Sequence, residues 1–178
     1  MRLVSISSKK DWKNIKKLYK TAFPSYERKP IFIIKHTHKK GNTDVWIIEE
    51  NGEFLGFMIT LNSEKLILLD YFAVIPEMRG KGVGAKALKT LQEKYSDKKL
   101  FLETESVYTT AANIEERKKR KRFYLNNGMS ETGIIVNLFG TEMEVLSHNC
   151  ELSFNEYSSL YFKNYGNYAL KNIQKIRL

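Results

Sequence analysis

The sequence predicts an α/β (α+β) fold in one domain, a mixed and mostly antiparallel central sheet with helices on both faces. Three observations carry that expectation. Asn51-Gly52 lies between the apolar runs Val45–Glu50 and Glu53–Leu61, and that dipeptide between such runs marks a tight hairpin. Leu66–Ile75 follows as a near-continuous apolar run, so three strands form a meander whose last member is buried on both faces. Val83, Ala87, Leu88, Leu91 and Tyr95 then recur at helical spacing, which places a helix against the sheet.

The remaining elements follow in order. Leu3–Ile6 reads as a short first strand. Ser8 with Asp11 resembles a capping box, and Trp12, Ile15, Leu18, Tyr19 and Ala22 extend a helix over about Lys10–Thr21 that Pro24 ends. Pro30 opens a second short helix carrying Ile31, Phe32 and Ile34. Leu100–Glu105 is a strand after a helix, expected parallel to the strand before that helix. Asn113 and Glu116 read as the N-cap and N3 of a further helix, and Asn127-Gly128 ends it. Strands follow at about Thr132–Leu138 and Glu142–His148, and Ser153 with Glu156 opens a last helical region broken at Gly166.

Composition narrows the class. With 178 residues, 42% hydrophobic and 28% charged, the chain has enough material for one sizeable core. No apolar stretch approaches the roughly 20 residues that span a bilayer. The N-terminal apolar stretch is also too short for a signal peptide, so a cytoplasmic protein without membrane partners is expected. Cys150 stands alone, which excludes an intrachain disulfide and a cysteine-rich metal site. The net charge of +10 favours anionic partners without choosing among them.

Arg79-Gly80-Lys81-Gly82-Val83-Gly84 stands between the apolar strand and the helix that follows. A strand emptying through glycines into a helix is a phosphate cradle, because turn amides and the helix N-terminus both point at an anion. The run matches neither the mononucleotide P-loop nor the dinucleotide G-x-G-x-x-G pattern, since position 85 is Ala. It does match [Q/R]-x-x-G-x-[G/A]. With Tyr71–Glu77 before it, it resembles the acetyl-CoA signature of the GNAT superfamily of N-acetyltransferases. Arg122-Phe123-Tyr124-Leu125-Asn126-Asn127-Gly128-Met129 is similar to the superfamily's second signature, with Met129 where Phe is usual. Phe23-Pro24-Ser25-Tyr26-Glu27-Arg28-Lys29-Pro30 resembles a bacterial subgroup of the same superfamily.

The resemblance implies transfer of an acetyl group from acetyl-CoA, as co-substrate and without a metal, to a primary amine by direct attack in a ternary complex. It implies one acetyltransferase domain over 1–178, with a core at about 1–148 and a helical extension at about 151–178. The implied cofactor-binding residues are Phe72, Ala73, Val74, Arg79, Gly80, Lys81, Gly82, Val83 and Gly84. Tyr124 matches the tyrosine that protonates the departing thiolate. The base stays open between Asp70, whose parity on its strand matches Phe72 and Val74, and Glu103, which shares a face with Glu105. Glu27 and a water relay are further alternatives. The acceptor is a small-molecule or peptide amine, with aminoglycosides and polyamines as variants. The alternative from another class is a catalytically idle acyl-CoA-binding or nucleic-acid-binding module.

Two other features read as structural, and a third stays open. The run Arg117–Arg122 follows Glu115-Glu116 in a pattern that complements a helix dipole, so it reads as a solvated face and nucleic acid is not an expected partner. His36-x-His38 has strand-like spacing but no nearby third ligand. The aromatic C-terminal region, Phe154 to Tyr168, leaves open internal packing, a homodimer surface or a substrate wall.

Overall fold

The computed structural model describes residues 1–177. Its elements are β1 (Arg2–Ser5), α1 (Lys9–Ala22), α2 (Ile31–Lys39), β2 (Thr43–Glu50), β3 (Glu53–Asn62) and β4 (Leu66–Val74). A single 3-10 turn (Pro76–Met78) leads to α3 (Val83–Lys94), β5 (Lys99–Glu105) and α4 (Ile114–Asn126). The chain continues as β6 (Ser130–Leu138), β7 (Thr141–His148), α5 (Phe154–Tyr165), α6 (Asn167–Lys171) and β8 (Ile173–Arg177). The eight strands take the order β1-β2-β3-β4-β5-β7-β6-β8. The pairings β1–β2, β2–β3, β5–β7, β6–β7 and β6–β8 are antiparallel. This is the mixed, mostly antiparallel sheet that the sequence predicts.

The chain divides into two compact units, Met1–Asn62 with Leu69–Lys94, and Ser63–Leu68 with the chain from Tyr95 onward. In the first unit, the α1 capping box forms in full: the Asp11 amide donates to Ser8 Oγ at 3.1 Å, and the Ser8 amide donates to Asp11 Oδ2 at 2.8 Å. Ile15, Leu18 and Tyr19 then pack on Val45, Ile47, Phe57, Ile59, Tyr71 and Ala73 in one core. Each such side chain contributes about 1.5–3 kcal/mol on burial. The hairpin turns on Asn51 and Gly52, both at positive φ (53° and 82°), and Glu50 faces Glu53 across it. β4 is fully buried from Leu66 to Leu69 and alternates beyond, so it is a two-sided strand only in its first half.

In the second unit, α5 opens at the expected pair Ser153 and Glu156, which form a capping box. Lys99 Nζ meets the same Glu156 carboxylate at 2.6 Å. Tyr157 and Tyr161 of α5 are buried, whereas Phe162 and Tyr168 are exposed.

Four expectations change. Asn113 caps α4 without a side-chain bond to the helix's free amides, because the Arg117 side chain donates from Nε to its Oδ1 at 2.9 Å, so no capping box with Glu116 forms. His36 and His38 lie on α2 rather than a strand, and His38 Nδ1 donates to the Thr43 carbonyl at 2.8 Å. The described residues end in β8, not in helix: Leu138 pairs with Ile173 and Val136 with Lys175. The basic run is only partly a solvated face, since Lys121 is buried.

Candidate active site

The glycine turn is built from both ends. At its start, the Ile75 amide donates to Leu55 O at 2.9 Å, pinning the end of β4 to β3. The 3-10 turn closes with Arg79 N–H on Pro76 O at 3.1 Å. At its end, Val83, Ala87, Leu88 and Leu91 bury one side of α3. Between them, Gly80 and Gly82 hold φ of +74° and +77°, a region that L side chains enter only at a cost. A Cβ at either glycine would meet nothing within 4 Å, so open space lies over the turn.

The first main-chain bond into α3 runs from Lys86 N–H to Gly82 O, 3.1 Å. The amides from Gly80 to Ala85 therefore find no internal acceptor among the described residues. Unsatisfied amides and the positive end of a helix dipole make a site for a phosphate-bearing group. These residues fit the pyrophosphate of a nucleotide-like cofactor.

β4 presents its backbone in two directions. The Ile75 amide bonds β3, and the Ala73 carbonyl lies directly against where a Cβ on Gly56 would sit. Main-chain groups of alternate residues share a side, so those of Phe72 and Val74 point away from β3. The Val74 carbonyl accepts from Arg79 Nε at 3.1 Å. Arg79 thus ties the turn back to the strand rather than extending freely from it.

Asp70 on β4 is held by Lys29, whose Nζ meets its two carboxylate oxygens at 2.9 and 2.7 Å. Around that pair the Pro24–Pro30 segment is clamped. Tyr71 donates its hydroxyl to Glu27 O at 2.8 Å and accepts from the Lys29 amide at 3.0 Å, and Tyr19 donates to Lys29 O at 3.2 Å. Burial pushes the Tyr19 hydroxyl up to about 12 and the Tyr71 hydroxyl above the ordinary phenol range, with the Asp70 charge adding to both. Both therefore stay protonated as donors. The sequence signal for this clamp was an acid inside an apolar strand, which requires a partner; that the partner is Lys29 needed the fold.

In the second unit, Glu103 accepts from Tyr157 at 2.5 Å and from Tyr161 at 2.8 and 2.9 Å. Glu105, buried beside it on β5, accepts from Arg117 at 2.7 Å and Arg120 at 3.0 Å. Lys121 is ion-paired with Glu131 at 2.9 Å and with Glu144. Three cations of the basic run thus hold α4 to carboxylates on strands. Their spacing, i, i+3 and i+4 on one helix face, was visible in the sequence; their partners were not.

Tyr124, on the same helix, is half-buried, and its hydroxyl has no hydrogen-bond partner among the described residues. Burial holds that hydroxyl up to about 12, against a smaller lowering by Arg120. Burial also pushes the Cys150 thiol up, which suits an inert side chain rather than a nucleophile. Among the described residues no group of three or more His, Cys, Asp or Glu could hold a metal ion. No described helix is long and apolar enough to cross a membrane.

Comparison with known proteins agrees with this fold. A GNAT-family protein from Bacteroides thetaiotaomicron superposes with a TM-score of 0.76 at 19% identity, covering 95% of this chain and 98% of its own. An aminoglycoside 6′-N-acetyltransferase complexed with coenzyme A gives 0.67 at 12% identity, covering 83% and 96%. The ribosomal-protein-S18-alanine N-acetyltransferase from Escherichia coli gives 0.60 at 17%, covering 85% and 94%. These likenesses show the fold. No curated protein matches the chain in sequence. The model of the acetyltransferase (GNAT) family, however, matches residues 12–118, a span from α1 through β4, the glycine turn and α3 into α4. By that match the chain belongs to the GNAT family of acetyltransferases.

Proposed function

We propose that the chain is a cytoplasmic, single-domain, acetyl-CoA-dependent N-acetyltransferase that acts on a primary amine by direct attack in a ternary complex. The observation that carries this reading is the open row of amides from Gly80 to Ala85 at the head of α3. Bound acetyl-CoA supplies an activated thioester. The amides of Gly80, Lys81, Gly82, Val83 and Gly84 hold its pyrophosphate, Lys81 adds charge, and Arg79 braces the turn. The main chain of Phe72 and Val74 orients the pantetheine arm as an added strand would, whereas Ala73, expected to share that role, turns its carbonyl to Gly56 on β3.

Tyr124 holds the proton taken by the leaving thiolate as the amine nitrogen bonds the acyl carbon and the carbon–sulfur bond breaks. A hydroxyl held up to about 12 is protonated throughout the working pH range. The amine's own proton goes to Asp70 or Glu103, directly or through water. Acceptors in the superposed enzymes include an aminoglycoside and the alanine of a ribosomal protein, so the screen spans small amines and peptide N-termini.

One observation favours a second reading, an acyl-CoA-binding module without turnover. Asp70 and Glu103 are both engaged, by Lys29 and by Tyr157 and Tyr161. Thiol release with an amine panel separates the two. Under the enzyme reading, Tyr124→Phe lowers turnover at least tenfold and leaves acetyl-CoA binding, read as a thermal shift, unchanged. Binding with no thiol release from the native chain on any amine would leave the module.

A further inference from the structure

The chain's net charge sits in one place. Residues 1–40 hold 12 lysines and arginines against two acids, Asp11 and Glu27, a net charge of +10; the other 138 residues hold 18 of each sign. Those forty residues form β1, α1, α2 and their connections. On α1, Lys9, Lys10, Lys13, Lys16, Lys17 and Lys20 are all exposed, and none has a salt bridge among the described residues. At 100° per residue they fall within an arc of about 120° opposite the buried Ile15, Leu18 and Tyr19. Asp11, the acid of α1, is committed to the amides of Ser7 and Ser8.

α2 continues this face. Lys35, His36, Lys39 and Lys40 are exposed. Lys35 Nζ lies 4.8 Å from the centre of the Trp12 ring, and Trp12 meets His38 edge-on at 6.3 Å. Trp12 therefore joins the lysine flank of α1 to that of α2. Like charges at i, i+3 and i+4 repel and weaken a helix, and a surface built only for solubility intersperses both signs. Beyond residue 40 the signs balance in number, and within the basic run Arg117–Arg122 the Arg117, Arg120 and Lys121 charges are paired with Glu105, Glu131 and Glu144.

A one-signed lysine face fits a partner with dense, regular negative charge. From Lys9 to Lys20, α1 runs about 16 Å, a length over which a nucleic-acid duplex carries roughly ten phosphates. A bilayer fits less well. The apolar side of α1 is consumed by the core, and Phe32 and Tyr26 are the large apolar side chains exposed here, too few for an inserting face. We propose that the α1–α2 lysine face binds the phosphodiester backbone of nucleic acid without reading its bases. The expectation that nucleic acid is no partner rested on Arg117–Arg122; the relevant charges lie elsewhere.

The test is fluorescence anisotropy of the full chain with short labelled RNA and DNA duplexes, beside flotation with phosphatidylserine-rich vesicles. Binding at about 50 mM salt that weakens about a thousandfold by about 200 mM is expected; the RNA and DNA arms distinguish the source. Lys9→Glu/Lys13→Glu/Lys16→Glu/Lys20→Glu should weaken binding at least tenfold and flatten the salt slope. Lys118→Glu/Lys119→Glu/Arg122→Glu/Lys163→Glu, an equal charge change at exposed positions in the other unit, should not. The Lys→Gln version of the first set must give the same ordering, with melting curves confirming fold. No duplex binding at low salt, equal loss in both sets, or binding to vesicles alone would overturn the proposal.

Discussion

Gly82 and Gly41 form a matched pair on which the phosphate cradle can be tested. Gly82 has φ +77° and Gly41 has φ +78°, and a Cβ at either meets nothing within 4 Å. Glutamate at each therefore carries the same backbone strain, about 1–2 kcal/mol, and the same change of charge. For a domain of this length that lowers Tm by about 2–8 °C in both variants. The difference lies in what fills the open space. Over Gly82 it is the proposed seat of the pyrophosphate; Gly41 lies in the turn between α2 and β2. Ligand at about 100 times Kd stabilises the native fold by about 2.7 kcal/mol, or about 5–11 °C in Tm. Differential scanning fluorimetry with and without acetyl-CoA should show that shift in the native chain and in Gly41→Glu, and none in Gly82→Glu. A shift that survives in Gly82→Glu, or vanishes in both, would refute the placement of the phosphate.

Two further outcomes follow. Gly56→Ala puts a methyl into the Ala73 carbonyl and 3.0 Å from Val74 Cα, both backbone, so β4 must move; a loss of about 1–3 kcal/mol and weaker acetyl-CoA binding are expected in urea melts and titration. Glu156 is held at about 2, chiefly by Lys99 and then by the Ser153 amide. A lowered carboxylate stabilises above its ordinary value of 4.5 and loses that contribution as pH falls towards 2. The pair is more than a third exposed, so screening leaves about 1 kcal/mol, and Glu156→Gln should flatten the decline in Tm across that acid window.

Local signals in this chain were legible and long-range pairings were not. The Asn51-Gly52 hairpin, the capping boxes at Ser8 and Ser153 and the α3 stripe each depend on residues within a few positions of one another, and all are present. β8 depends on β6, some 37 residues earlier, and a five-residue edge strand with two lysine or arginine positions offers little hydrophobic alternation of its own. The Asn113 cap failed because a local rule met a competitor in Arg117, which lies one turn on and already reaches towards Glu105. The same applies to the candidate site. The glycine turn was written in consecutive residues. The partners of Asp70, Glu103 and Glu105 lie 41, 54 and 58, and 12 and 15 positions away, and no spacing rule connects them.

Those partners bear on how a proton donor can be told from a core tyrosine. Tyr19, Tyr71, Tyr157 and Tyr161 are all buried, and each hydroxyl donates to a carbonyl or carboxylate of its own unit. That is the ordinary condition of a structural tyrosine, because an unmade hydrogen bond in a low-dielectric interior costs about 1–3 kcal/mol. Tyr124 departs from it. Its ring packs edge-on against Phe123, yet its hydroxyl finds no acceptor among the described residues while burial holds its proton on. Tyr124 is only half-buried and its hydroxyl is not among the fully buried polar atoms left without a partner, so solvent reaches it and, under the proposed function, its proton is available to a bound thiolate. Replacing it by Phe removes nothing the fold depends on, so Tyr124→Phe should melt within about 0.5 kcal/mol of the native chain, whereas Tyr71→Phe should cost more by stranding the Lys29 amide. If Tyr124→Phe proves the more damaging to stability, the hydroxyl is structural and the assignment of the acid to it fails.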